Sequence, residues 1–513
     1  MRHPGRGWRS VAGRDRFATS QDETLPGHVA TSVERENAAN ATVFGPRRIT
    51  GRTSVTVPLL HDLPYPSDPA ALFQRLRDLA GAVWLDSGGP GAQARFDVMA
   101  ALPTRVLLQE AGCIWRQEHG VWEEIGGDPW DAIRELLGEP VPSVDGLPFS
   151  GGALGYFGYD LGHADVVGRH DPRPGDGMPE LWLGFYDCVV VLDHVDCRAR
   201  LVERPGGKAA ATAMLSRLWD NALQESAERF RAGPLREEPG RDGYGRAFRA
   251  VKQYLRDGDC YQVNLARAFR CSYTGDPWDA YRRLRRWSPA PHGAWLSLPD
   301  GRAVLSLSPE RFLALAGGRV ETRPIKGTRP RGADPDGDRR LAAELQASNK
   351  DRAENVMIVD LLRNDLGRVC RTGSVRVPRL FGVETFASVH HMVSVVEGLL
   401  RPGEDAVSLL RACFPGGSIT GAPKKRAMEI IAELEPTRRG PYCGAIGYIG
   451  YDGAMDTSIT IRTAVCQGGV MTYRAGGGLV MDSEEQAEYQ ETRDKAHAFL
   501  RLASEGEADG RRD

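Results

Sequence analysis

Pro324-Ile325-Lys326-Gly327-Thr328-Arg329-Pro330-Arg331-Gly332 holds two prolines, two glycines and three cations in nine residues. Such punctuation predicts a rigid loop that presents a lysine between tight turns. Lysine is scarce in this chain, occurring at 208, 252, 326, 350, 424, 425 and 495 beside a large excess of arginine. A solvated surface here ordinarily uses Arg. Two readings of Lys326 stand side by side. It is either a loop cation in water, or an amine made nucleophilic by desolvation and by the nearby charges of Arg323, Arg329 and Arg331.

Downstream of this stretch lie two acidic constellations of the same spacing. Asp351 and Glu354 are three residues apart, as are Glu488 and Glu491, with Lys495 one turn beyond the second pair. In a helix each pair shares a face. Either the two are ordinary solvated faces, or they converge as an all-oxygen set suited to a hard cation such as Mg2+. Between them, Phe414-Pro415-Gly416-Gly417-Ser418-Ile419-Thr420-Gly421-Ala422-Pro423-Lys424 is a small-residue loop entering a helix, with Thr420 or Gly421 as its expected cap. Free amides at such a start can hold a carboxylate, although the same pattern suits a plain helix entry. The glycine run Ala475-Gly476-Gly477-Gly478 offers a second close backbone approach. Ser458 to Val465 alternates like one strand, which puts Arg462 on the side of Thr460 and Ala464 as a carboxylate clamp or a solvent-facing charge. His391 and Glu310 complete the acid/base candidates.

Length and composition bound the rest. The chain's 513 residues suggest two to four domains, and 41% hydrophobic content suffices for ordinary globular cores. With 66 basic and 68 acidic side chains the net charge is -2, so no bulk field recruits nucleic acid. The nine cysteines include no C-x-x-C pair and read as reduced thiols of a cytoplasmic protein. No apolar run is long enough to span a membrane. Residues 1–50 are expected to be a disordered extension and 51–205 a strand-rich subdomain. A helix and linker follow over 206–243, then the domain carrying the chemistry over 244–502 and a disordered tail over 503–513.

Taken in order, these motifs resemble the chorismate-utilising enzymes, densely over about 244–502 and more loosely over 55–200. Within that family Pro324-Ile325-Lys326-Gly327-Thr328 is similar to the aminodeoxychorismate synthase type, since anthranilate synthases typically carry Ala where Lys326 stands. Gly258-Asp259-Cys260-Tyr261-Gln262-Val263-Asn264-Leu265 agrees, because isochorismate and salicylate synthases place a water-activating lysine where Gln262 stands. The resemblance implies an α+β fold in which large antiparallel sheets pack face to face with helices outside. It further implies Mg2+ held by Glu354 and Glu491, with Asp351 and Glu488 acting through water. Substrate carboxylates would be held by Arg462, Tyr448, Lys495 and the backbone of Gly421, Gly477 and Gly478. Thr420 would line the site, His391 would lie beside the ring, Lys326 would be the nucleophile and Glu310 the acid.

The implied reaction is conversion of chorismate and ammonia to 4-amino-4-deoxychorismate, for folate or a secondary metabolite. The chain has no G-x-C-x-G nucleophile elbow, so ammonia is expected from a separate glutamine amidotransferase subunit. The alternatives are an anthranilate synthase large subunit and a non-catalytic chorismate-binding regulatory subunit; retention of all four carboxylates weighs against the latter. Trp84-Leu85-Asp86-Ser87 is similar to the segment with which relatives bind tryptophan, with Trp84 where Leu is usual; it reads first as a core strand.

Overall fold

Alternating and continuous apolar runs such as Val83–Asp86, Gly152–Phe157 and Cys188–Asp193 form strands in the computed structural model, which describes residues 57–89, 95–220, 228–386 and 389–509. Among these residues the strands assemble into two large antiparallel sheets, one of thirteen strands and one of twelve. One apolar layer, including Val98, Val191, Leu296 and Val304 of the first sheet and Leu154, Trp182, Ile446 and Tyr448 of the second, fills the space between them. Helices cover the outer faces. Trp278, Tyr281, Met214 and Phe499 pack on the first sheet, and Trp130, Ile133, Leu409 and Met428 on the second. Burying both faces explains why central strands carry unbroken apolar runs where a half-exposed strand would alternate. The expected architecture is the one observed.

The expected division of the chain is not. Val55–Asp513 forms one compact unit, because strands from the two halves of the sequence share both sheets. Val83–Asp86 pairs with His292–Ser297, and Gly152–Phe157 pairs with Ala445–Gly450. The segment 206–243 is therefore no boundary in space. Its residues 236–238 form a strand on Gln262–Thr274. The expected tail also begins too early, since His497–Asp509 is helical. Leu502 and Ala503 are buried against the first sheet, and Arg283 and Arg501 both bind Glu505. The expected extension over 1–50 lies outside the described residues.

Two local expectations change as well. Pro324 to Gly332 is not a loop: Ile325–Pro330 is a strand paired with Val389–Leu399. Ser458 to Val465 is not one strand but two, Met455–Ile459 in the second sheet and Thr463–Gln467 in the first. The chain crosses between sheets at Arg462, which adopts a left-handed φ of 54°.

Candidate active site

The strand bearing Lys326 acquires its shape from one glycine. Lys326 lies opposite Met392 and Thr328 opposite His391, so Gly327 is an extra residue, a bulge with φ of 78°. Bulges re-aim neighbouring side chains. A Cβ at Gly327 would also stand 2.8 Å from Asp351 Cγ and from Leu345 Cδ1, so only glycine lets the acidic helix Asn349–Gly367 close onto this strand. Ser348 caps that helix through the Asp351 amide.

Lys326 is half-buried, and burial holds its amine below the ordinary lysine range. Glu354 and Glu310 oppose that shift, while the charge of Lys495 adds to it. The three arginines near in sequence have other partners. Arg323 bonds Glu384, Arg329 bonds Glu344 and Asp351, and Arg331 bonds Asp338. The positive neighbour that matters comes from far along the chain.

Glu310 follows the strand Ala303–Ser308 and is buried. Its backbone carbonyl accepts from the Ile459 amide at 3.0 Å, and Ser308 Oγ donates to the Ile459 carbonyl at 2.6 Å. Burial pushes the Glu310 carboxyl up, partly offset by the charge of Lys326 and by the Ser418 hydroxyl and the Ile325 amide beside it. The candidate acid and the candidate nucleophile are thus tied through adjacent residues of the same strand. His391 shares a 2.9 Å hydrogen bond with Thr328 Oγ1 and meets the Phe386 ring edge-on at 5.2 Å. Burial and the charge of Arg462 bring its pKa down to about 4, so it stands here as a neutral imidazole.

Thr420 is fully buried and donates to the carbonyls of Gly416 and Gly417. It does not cap the following helix, Lys424–Leu434, whose N-cap is Pro423. Gly421 instead pairs with Val263, and its φ of 143° places any added Cβ 2.1 Å from the Gln262 carbonyl oxygen. Gly477 and Gly478 lie in the strand Val470–Leu479 opposite Leu265 and Asn264. A Cβ on Gly477 would stand 2.9 Å from Glu488 Oε2, so the bare strand admits the helix Glu485–Lys495 directly above it.

Lys495 Nζ bonds Glu491 Oε1 at 2.6 Å and the Gly476 carbonyl at 2.8 Å. Its charge keeps the Glu491 carboxyl below the usual range against burial. Glu488 accepts from Ser483 Oγ at 2.7 Å, and burial raises it. Glu354 is raised by burial, with Asp351 and Glu491 adding to the shift and Lys326 and Lys350 opposing it. Lys326, Glu310, Glu354, Glu491 and Lys495 therefore act on one another across one site. Arg462 joins through His391 and through a small apolar cleft it shares with Lys495. Tyr448 does not join. It packs between the sheets against Phe149 at 4.7 Å, because alternation along Ala445–Gly450 points it to the inter-sheet face.

A family model described as chorismate binding enzyme matches residues 96–501. The chain belongs to that family. Aminodeoxychorismate synthase component 1 of Klebsiella aerogenes is 46% identical over 464 residues, covering 86% of this chain and 98% of the relative. Anthranilate synthase component 1 of Streptomyces coelicolor is 38% identical over 521 residues, covering 96% and 98%. Among solved structures, anthranilate synthase component I from Streptococcus pneumoniae TIGR4 aligns with a TM-score of 0.71 at 32% identity, covering 79% of this chain and 92% of that one.

In this chorismate-binding enzyme the acidic set suits a hard cation by its chemistry, since all four donors are carboxylates and Glu354 and Glu488 are held above their usual range by burial with like charge beside them. As the side chains stand, no three potential ligands among the described residues converge on one point. An ion would compete with Lys350 for Glu354 and with Lys495 for Glu491.

The segment at 84–87 proves to be both a core strand and the edge of a cavity. Trp84 is fully buried, while Leu85, Asp86 and Ser87 line a cavity of about 300 Å3 with His292 and Tyr448. Asp86 is already bound by Arg285 and Tyr281, and Ser87 by Asp97. The sequence reading assigned no role to Ser418, whose only signal was its place in a small-residue loop. It also gave Gln262 no task, yet this side chain is fully buried, has no hydrogen-bond partner among the described residues, and faces Gly478. Its polar side chain at the head of a strand whose next positions are largely buried was the available signal.

Proposed function

We infer that this chain is an aminodeoxychorismate synthase component I, which converts chorismate and ammonia to 4-amino-4-deoxychorismate with the enolpyruvyl group kept. The observation that carries the reading is the pairing of Lys326, its amine depressed by burial, with Glu310, its carboxyl raised by burial and set beside Ile325 of the Lys326 strand. These are the protonation tendencies that a nucleophile and a general acid require. Neutral Lys326 adds at C2 as the C4 hydroxyl leaves, and Glu310 supplies the proton that makes it water. Ammonia then forms a bond to C4 while the C2–nitrogen bond breaks and returns the lysine amine. The proton on the new ammonium group restores Glu310.

Arg462, Lys495 and the backbone of Gly421, Gly477 and Gly478 would hold the substrate carboxylates, with neutral His391 against the ring. Glu354 and Glu491 would hold Mg2+ directly, and Asp351 and Glu488 through water. The ion, when bound, neutralises a substrate carboxylate. Ammonia would come from a glutamine amidotransferase subunit, as the number in the relatives' names suggests. The cavity beside Leu85–Ser87 is proposed to take tryptophan, to be tested by calorimetry with the free amino acid. No helix among the described residues is long and apolar enough to cross a membrane.

The deciding experiment is the product formed from chorismate, Mg2+ and ammonium by the purified chain. A non-fluorescent amino product retaining the enolpyruvyl group is expected. Fluorescent anthranilate with pyruvate would establish the second reading, which the 38% identity to an anthranilate synthase keeps in play. Mass spectrometry of the quenched enzyme should detect a Lys326 adduct, and its absence together with full activity in Lys326→Ala would refute the covalent step.

A further inference from the structure

The segment that reads as a linker grips the acidic helix from behind. Residues 236–238 pair with Gln262–Thr274, and from this strand Glu237 reaches the helix Glu485–Lys495. One carboxylate oxygen accepts from Arg267 and, at 3.0 Å, from the Tyr489 hydroxyl; the other accepts from Arg493. Tyr489 and Arg493 are about one helical turn apart, and at 3.6 residues per turn they lie roughly two-fifths of a turn round from Glu488 and Glu491. Contacts on that flank fix how the helix is rotated about its axis, and so where the two carboxylates point.

Arg267 is the unusual member. Its side chain has 0% exposure, its guanidinium lies 4.1 Å over the Tyr489 ring and 4.8 Å over Phe269, and its Nε and Nη1 have no hydrogen-bond partner among the described residues. A desolvated guanidinium with unpaired donors is a poor source of stability, and a well-packed apolar residue at such a place generally serves stability as well or better. What the charge supplies here is direction, because a guanidinium on an aromatic face with one fixed carboxylate permits a single arrangement.

We propose that Glu237, held by Arg267, is a positioning residue that sets the rotation of Glu485–Lys495 and thereby the affinity of Glu488 and Glu491 for the divalent ion. The inference rests on the Mg2+ reading above. Glu237→Gln keeps the shape and removes the charge, and Arg493→Met, at a partly exposed position, loosens the same contact with less risk to folding. Calorimetric titration of the ligand-free protein with Mg2+ should show Kd raised roughly tenfold in Glu237→Gln and by a smaller factor in Arg493→Met. The KM for chorismate at saturating Mg2+ should stay within about twofold of wild type, a split that general loosening of the fold would not produce. Unchanged Mg2+ affinity in both variants, with the wild type binding normally, overturns the latch alone. A wild-type chain that binds no Mg2+ overturns the metal reading and the latch together.

Discussion

Two lysines withdrawn from solvent, Lys326 and Lys424, stand in opposite surroundings. Lys424 donates to Asp365 at 2.7 Å and to the Cys413 carbonyl at 2.9 Å, in a pocket closed to water. Lys326 is surrounded by charges of both signs, yet among the described residues no hydrogen bond or ion pair reaches its amine. The nearby Arg439, fully buried, repeats the first pattern with Glu435 and the carbonyls of Ile419 and Asn264. A buried charge bonded to a carboxylate and to backbone carbonyls is framework. One left without a bonded partner among charges of both signs is available to react.

Replacement of each lysine should separate these roles. Lys326→Ala is expected to lower kcat by about 10^3-fold or more, equivalent to about 4 kcal/mol of barrier, with a thermal midpoint near wild type because no bonded partner is stranded. Equal activity in steady-state assays would erase the contrast. Lys424→Met should do the reverse and cost about 3–5 kcal/mol in urea unfolding, since Asp365 is left buried and alone. The double variant Lys424→Met/Asp365→Leu should recover most of that loss; failure to recover would mean that the pair contributes more than mutual neutralisation.

The pH dependence sharpens the comparison. Because the Lys326 pKa is lowered on folding, the unfolded chain binds more protons between the folded and ordinary values, so this residue makes stability rise with pH across that window. Lys326→Met should flatten the slope, as read from denaturation midpoints at several pH values. In activity, protonation of Lys326 gives the acid limb of kcat/KM and ionisation of Glu310 the alkaline limb. The smallest effect is expected from Ser418→Ala. Removing a hydrogen bond that favours the carboxylate raises Glu310 further, so the alkaline limb should move to higher pH. A shift to lower pH would contradict the assigned donor.

Much of the site was legible because its chemistry resides in residue types. Lys326, Glu310, the four carboxylates and the glycines at 421, 477 and 478 are distinctive in sequence, and the structure sets Lys326, Glu310, Glu354 and Glu491 within electrostatic reach of one another and Glu488 against Gly477. What was hidden depends on partners distant in the chain. Ile325–Pro330 lacks apolar alternation and becomes a strand only because Val389–Leu399 lies beside it. Arg462 looked like a strand residue because Ile459 and Ala464 keep the alternation on either side of a crossover between sheets. Tyr448 fell on the inter-sheet face through the parity of its strand, which a motif does not encode. The source of positive charge near Lys326 was misread for the same reason: proximity in sequence favoured three arginines, while packing supplied Lys495.

The sharing of both sheets by the two halves of the sequence bears on how the chain is made. Gly152–Phe157 has one neighbour in Leu181–Tyr186 and waits for the other, Ala445–Gly450, until nearly the whole polypeptide has left the ribosome. Until then its edge is an unpaired template for association with other chains. Pairings of such separation close slowly and expose intermediates to aggregation. Production of the enzyme should therefore be sensitive to translation speed, temperature and chaperone supply, and neither half expressed alone should yield a soluble, chorismate-binding fragment.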